Sequence, residues 1–346
     1  MPKGVSIPAI VWCEPAQVGL VRRVVELAGV SLVGAGSPAR GQSGAVAAEL
    51  GCRAMDDLRQ VMASAPGEGV KLLWIAAPGD LGTDASGADA AAVQAAASAG
   101  LAIATSEPVP ASAIEMTGGG WAPEEGPSRA CDALRFVPLM RLSKAVREAG
   151  EVFTTLGPIR LAAIEHWGAP EHGSLGALMF SALDLVHSLM GEPETIDAAY
   201  VGPTHIQGLH ALPGETLRDL HGDLAASLRF SDGRAASVTL SSHSGRWERR
   251  AMLVGASSRL RFDAAGFELI GADGAKLDEM KSKAENDAAA AAIAESLLRL
   301  ADAGKPDAAP IDVPSVLSIA QAALLSARTG QPESPATVRR MAGLGA

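Results

Sequence analysis

The first third of the chain alternates two apolar patterns. Short continuous runs, "PAIVWC", "VSLVGAG", "CRAM", "VKLLWIAAP" and "LAIATSEPVP", have strand length and read as buried on both faces. Between them, apolar residues recur at helical spacing. "AQVGLVRRVVELAG" places Val18, Val21, Val24 or Val25 and Ala28 on one face and ends on Gly29. "GQSGAVAAELG", "DDLRQVMASA" with Asp56 near its cap, and "ADAAAVQAAASAG" follow the same period. Strand and helix in alternation predict βαβ units on a parallel sheet.

Near residue 120 the texture changes. "TGGGWAPEEGPSR" is turn-rich, and "ACDALRFVPLMRLSKAVREAG" reads as a helix that Pro138 kinks or splits. Strands then dominate: "GPIRLAAIEHW", "IDAAYVGP", "GDLAASLRFSDGRAASVTLSSHS" and "ERRAMLVGASSRLRFDAAGFELIGADG", with hairpin turns at "SDGR" and "GASS". One helix, "SLGALMFSALDLVHSLMG", lies early among them, and two more, "AENDAAAAAIAESLLRLADAG" and "VPSVLSIAQAALLSARTG", come late. This predicts an α+β domain with a largely antiparallel sheet and helices on one face. The expected division is 1–122 and 123–346, with the C-terminal helix packing back toward the first domain.

Composition narrows the setting. The 346 residues suffice for two cores, and 48% apolar with 20% charged residues is an ordinary soluble globular balance. A net charge of -10 without a basic stripe argues against a nucleic-acid partner. Cys13, Cys52 and Cys131 are sparse and far apart, which suits a reducing compartment better than a disulfide framework. No spacing resembles a metal site. No apolar run approaches the roughly 18 residues of a membrane span, and the N-terminus lacks the shape of a signal peptide. The expectation is a cytoplasmic protein without metal, membrane or nucleic acid.

Several segments, in order and spacing, resemble the Gfo/Idh/MocA family of NAD(P)-dependent oxidoreductases over nearly the whole chain. They are "LGCRAMDDLRQVM", "LLWIAAP", "SEPV" in place of Glu-Lys-Pro, "HSLMGEPETIDAA", "LRFSDGRAASVTLSS" with "ERRAMLVGASSRLRFD", and "VLSIAQAALLSARTGQP". The resemblance implies an N-terminal Rossmann-like doubly wound parallel sheet and a C-terminal domain with a large, mostly antiparallel open sheet. It implies NAD or NADP as cofactor and a sugar, cyclitol or related polyol as ligand. It also implies a homo-oligomer formed through the sheet's exposed face, or assembly with a related subunit. By the same resemblance, Pro78 is expected to end the strand that lies over the nicotinamide.

The motifs that carry chemistry depart from that family. If Gly19 is the third glycine of the phosphate turn, the first two positions hold Glu14 and Ala16. The Glu14 carboxylate can take the N–H groups at the helix start and repel a phosphate, or can be a plain loop or capping residue. The second strand ends in "GAGSPARG" without an acid, so Ser37 and Arg40 are candidates for a 2′-phosphate, beside the reading of an ordinary glycine-rich loop. In Ser106-Glu107-Pro108 the lysine is gone whichever way it is aligned, and Glu107 is a candidate base or a solvated loop carboxylate.

On the helix of residues 175–190, counting back from Gly191, Asp184 falls on the family's last aspartate. Ser181 falls on the catalytic histidine and Ala177 on the first aspartate. His187 can pair with Asp184, or simply sit on the helix dipole. Of Glu165 and His166 only one can face the cleft; His166 or His172 is the candidate replacement histidine. His205 and His210 fit no zinc motif, and "SGRWERR" reads as a solvated or interface strand.

Three readings follow. The losses favour a family homologue that is catalytically impaired or silent, a structural or regulatory subunit or a binder of a sugar-like ligand. The alternatives are an active NAD(P)-dependent dehydrogenase on a polyol, and a non-redox acid–base enzyme using Glu107, Asp184 and a histidine.

Overall fold

The computed structural model describes residues 6–122, 130–202, 212–281, 287–302 and 310–344. Contacts divide the chain into two compact units: 1–137 with 290–310, and 138–289 with 311–346. The first unit thus runs past residue 122 and takes back a late helix.

The first unit is built on β1 (Pro8–Trp12), β2 (Ser31–Gly36), β3 (Arg53–Met55), β4 (Leu72–Ile75), β5 (Ala102–Thr105) and β6 (Leu134–Phe136), in the order β3-β2-β1-β4-β5-β6, every pair parallel. This is the doubly wound order, with its switch point between β1 and β4. Its helices are α1 (Val18–Ala28), α2 (Ser43–Leu50), α3 (Leu58–Ser64), α4 (Ala88–Ser98), α5 (Ala113–Gly118) and α6 (Ala130–Ala133). Ala9, Val11 and Cys13 of the first strand run pack with Val18, Val21 and Val24 of α1 on one face, and there Ile293, Ala294 and Leu297 of the late helix join them.

On the other face Gly36 is required: a Cβ there would lie 2.1 Å from the Trp12 ring. The glycines of "VGAG" therefore serve packing within the strand. Arg59 and the buried Asp89 make two hydrogen bonds, at 2.6 and 3.1 Å, and Asp89 also accepts from Gly82 N–H at 2.8 Å, fixing the loop after β4.

The segment expected as one split helix, 130–150, instead holds α6, β6, a 3-10 turn at Met140–Leu142 and α7 (Lys144–Glu148), before α8 (Gly150–Leu156). Leu134 and Phe136 are buried as the sheet's last strand, and Pro138 ends it. Pairing with β5 overrides the local helical spacing.

The second unit carries β7 (Leu161–Trp167), β8 (Thr195–Val201), β9 (Asp223–Arg229), β10 (Ala235–Ser241), β11 (Glu248–Val254), β12 (Ser258–Asp263), β13 (Gly266–Gly271) and β14 (Lys276–Lys281). Their order is β14-β13-β12-β11-β7-β10-β9-β8, antiparallel except for β7 with β10. β14 escaped the sequence reading because its burial lacks alternation: it is a charged edge strand. The helices α9 (Leu175–Met190) and α11 (Val313–Thr329) cover one face; α10 (Ala288–Ala301) is the helix that returns to the first unit, and α12 (Pro335–Met341) closes the fold. Among the described residues no helix is long and apolar enough to cross a membrane.

Candidate functional site

The turn after β1 is where a doubly wound sheet offers backbone N–H groups to a phosphate. Here three of those groups are spoken for. Glu14 N–H donates to Gln17 Oε1 at 3.0 Å, Pro15 has none, Gln17 N–H donates to Glu14 O at 3.0 Å, and Val18 N–H donates to Pro15 O. The half-buried Glu14 thus stands as the N-cap of a 3-10 turn, whose capping box joins the Glu14 side chain to the Gln17 backbone and the buried Gln17 amide to the Glu14 N–H. Gly19 is exposed and a Cβ on it would meet nothing within 4 Å, so it is not a close-packing glycine. Across the end of β1, the loops after β2 and β4 meet: a Cβ on Gly79 would lie 2.6 Å from the Pro38 Cβ. The turn thus lacks the glycines of a glycine-rich phosphate cradle, and its Glu14, Gln17 and Val18 N–H groups are bonded within the turn.

The other candidates of this unit lie at the same edge of the sheet. Ser37 is buried after β2, accepts from Ala39 N–H at 3.2 Å, and precedes the exposed Arg40. Pro78 is buried after β4. Glu107 is half-buried beyond β5, its backbone pinned by the Thr105 hydroxyl, which donates to Glu107 O at 2.6 Å. Burial, and then the neighbouring Glu14 charge, push the Cys13 thiol up to about 12, so it stays protonated.

The second unit gathers Asp184, Ser181 and His166 into one buried cluster. α9 starts at Ser174, whose hydroxyl caps Ala177 N–H at 3.0 Å, and Ser181 and Asp184 share one face, three residues apart. Asp184 Oδ2 accepts from Arg141 Nε at 2.6 Å, the carboxylate buried and the arginine nearly so. Burial pushes the Asp184 carboxyl up to about 6, against the pull of Arg141, so the pair is ionic at neutral pH. Ser181 Oγ accepts from Met140 N–H at 3.3 Å and from Arg249 Nη1 at 3.0 Å.

His166 faces the helices on β7, opposite Arg249 of β11, and is fully buried. Its Nδ1 lies 3.2 Å from Leu178 O, which can only accept, so Nδ1 carries the proton, and Nε2 faces Met140 Sδ at 3.1 Å. Burial, then the Arg249 charge, holds its pKa well below the ordinary imidazole value. His166 is a neutral core histidine, with no surface to offer as an acid or base.

One pairing left open by the sequence is not made, and one basic strand is less solvated than expected. Asp184 is taken by Arg141 rather than His187, which lies half-buried in the last turn of α9, within electrostatic reach of the α11 cap Asp312. "SGRWERR" is only partly solvated: Arg246 and Arg250 are exposed, but Arg249 is 6% exposed. His172 remains half-buried, its Nδ1 accepting Ala169 N–H at 3.1 Å. His205 and His210 lie outside the described residues. Among the described residues no cluster of three or more His, Cys, Asp or Glu could hold a metal.

The sequence missed Arg141, Gln17 and Arg249. Only Arg249 had a signal, since the strand period that buries Ala251 and Leu253 also buries it.

This is the architecture that the resemblance implied: a doubly wound parallel sheet and a large, mostly antiparallel one. The sequence matches no family model, and no curated protein matches it. Solved structures do match. UDP-N-acetylglucosamine 3-dehydrogenase GnnA from Acidithiobacillus ferrooxidans is 19% identical over 97% of this chain and 100% of its own, with a TM-score of 0.60. An oxidoreductase from Sinorhizobium meliloti is 15% identical over 95% and 99%, with a TM-score of 0.69. Levoglucosan dehydrogenase in complex with NADH is 12% identical over 95% and 99%, with a TM-score of 0.65. At such identities the likeness is one of fold.

Proposed function

We propose that this chain is a Gfo/Idh/MocA-type homologue that keeps the fold and has lost the redox reaction, binding a sugar-like small molecule without turnover. The observation that carries this reading is the α9 face. Of the family's proton-transfer positions, the histidine's is held by Ser181 and the first aspartate's by Ala177, and Ser181 and the retained Asp184 are each bonded to an arginine. A general base must reach the substrate proton, and here Asp184 is committed to Arg141 and His166 is enclosed in the core. The closed turn at Glu14–Gln17 supports the same reading, because hydride transfer needs a cofactor that the fold positions.

The rival is an active NAD(P)-dependent dehydrogenase, favoured by the NADH complex among the matching structures. Calorimetric titration with NADH and NADPH separates the two. We expect no saturable binding at micromolar concentration; micromolar binding of either, with oxidation of a polyol, overturns the silent reading.

A further inference from the structure

Residues 212–222 run as a strap over the start of α9 before the chain enters β9. Leu217 and Leu220 on this strap are 2% and 6% exposed. Leu220 O accepts the Leu175 N–H at 2.7 Å, so the strap satisfies one of the amide groups that a helix start leaves without a partner. The approach is close: a Cβ on Gly176 would lie 2.0 Å from Leu217 O. Toward one end Glu215 pairs with Arg328 of α11 at 2.7 Å. At the other end the strap passes through His221 into Gly222, whose φ of 119° and closeness to Val201 O leave no place for a side chain.

The antiparallel register of β9 with β10 continues past both strands. Asp223 lies opposite Ser241. Next, Gly222 N–H donates to the Ser242 hydroxyl and Ser242 N–H donates to Gly222 O, each at 3.0 Å. His221 and His243 are therefore opposed across the end of the ladder, their ring centroids 6.2 Å apart. The Ser242 hydroxyl, 3.0 Å from His243 Nδ1, holds that ring, and the Tyr200 hydroxyl of β8 donates to His221 O at 2.6 Å.

His221 Nδ1 is sealed from solvent and has no hydrogen-bond partner. A neutral imidazole tolerates this by carrying its proton on Nε2. An imidazolium carries N–H at both nitrogens, and so puts a donor where nothing accepts. Among the described residues the charges felt by His221 are His243 opposite it and Asp219 on the strap, with Arg218 and Asp223 its next charged neighbours along the chain. Burial, then the His243 charge, lowers the His221 pKa, and Asp219 only partly opposes them.

We propose that residues 212–222 are an acid-released strap: His221 stays neutral while Leu217 and Leu220 cover the start of α9, and its protonation opposite His243 frees them. Release bares the first turn of α9, ahead of Ala177 and Ser181, so access to that helix follows pH. The sign is fixed by the direction of the shift. The folded value lies below the unfolded one of ~6.5, so the released strap binds the proton more tightly. Docking is complete above that value and weakens as pH falls through it. The inference does not depend on whether a cofactor or a sugar-like ligand binds.

Hydrogen exchange resolved by NMR tests it on the unmodified protein. The Leu175 amide reports the strap through its bond to Leu220 O, and the Leu183 amide in mid-helix reports α9 itself. After correction for intrinsic exchange, Leu175 protection should fall relative to Leu183 by roughly three- to tenfold between pH 7.5 and 5.5. The His221 ring should titrate below the ordinary imidazole value. His221→Gln, which stays neutral, should remove the pH dependence. A constant ratio, a parallel loss at Leu183 that marks general acid unfolding, or a His221 ring titrating at or above the ordinary value overturns the proposal without any variant. A pH dependence that survives in His221→Gln overturns it too.

Discussion

Asp184 shows how a position can be retained while its chemistry changes. It keeps the carboxylate of a proton-transfer helix, yet its folded pKa of about 6 comes from burial, and its partner is a guanidinium. A folded pKa above the unfolded value of ~3.9 means that the folded chain binds the proton more tightly. The resulting stability is complete below pH ~4 and is lost as pH rises through 6. Urea unfolding of the unmodified protein and of Asp184→Asn between those limits should show their difference shrinking as pH rises, by on the order of 2 to 3 kcal/mol. The asparagine variant also leaves Arg141 unpaired, but that penalty is constant over this range. A difference that stays flat or grows with pH would refute the assignment. The Ser181–Asp184 face was legible from helical spacing alone. Its partners were not, since Arg141 and Arg249 arrive from positions 43 and 68 residues away and are chosen by tertiary packing.

The element that decides the cofactor question is β1, the turn and α1. Its strand and helix were plain in the sequence, because a buried parallel strand and an amphipathic helix each carry a strong period. The absence of glycines was plain too, but the way the turn satisfies itself was not. Only the structure shows Gln17 reaching back to Glu14 N–H, a local bond that competes with any external phosphate. Replacing Glu14 and Ala16 together by glycine removes a carboxylate from the turn and relaxes its backbone. We expect dinucleotide affinity to rise by about tenfold, the equivalent of ~1.4 kcal/mol for one like-charge contact relieved. Calorimetry on the double variant checks this, and an unchanged affinity would mean that Glu14 points away from a bound phosphate. The same comparison of periods explains the misread segment at 130–150: three residues of strand are too short to announce themselves among helical neighbours, and only pairing with β5 makes them one.

At the scale of the whole molecule, the two-domain order was readable, whereas the return of α10 to the first unit was not: an amphipathic, alanine-rich helix with Ile293 and Leu297 on its packed face fits any apolar surface and names no destination. What the second unit leaves uncovered is the outer face of its sheet. The register aligns Ala163, Ser237, Ser227, Asp197 and Met252 across β7, β10, β9, β8 and β11, with Ala199 and Ala225 paired beside them. Leu161 is 42% exposed and Val201 57% on the same face. Small side chains over several strands make a surface flat enough for a second sheet to approach at ~10 Å, and open apolar positions on it are unfavourable in water. We propose that two copies pair through this face. Sedimentation at micromolar concentration should show a dimer or larger species, and Ala225→Arg, which puts a charge at the middle of the face without touching the core, should shift it toward monomer. A monomer for the unmodified chain would refute the pairing, and an unshifted oligomer in the variant would place the interface elsewhere.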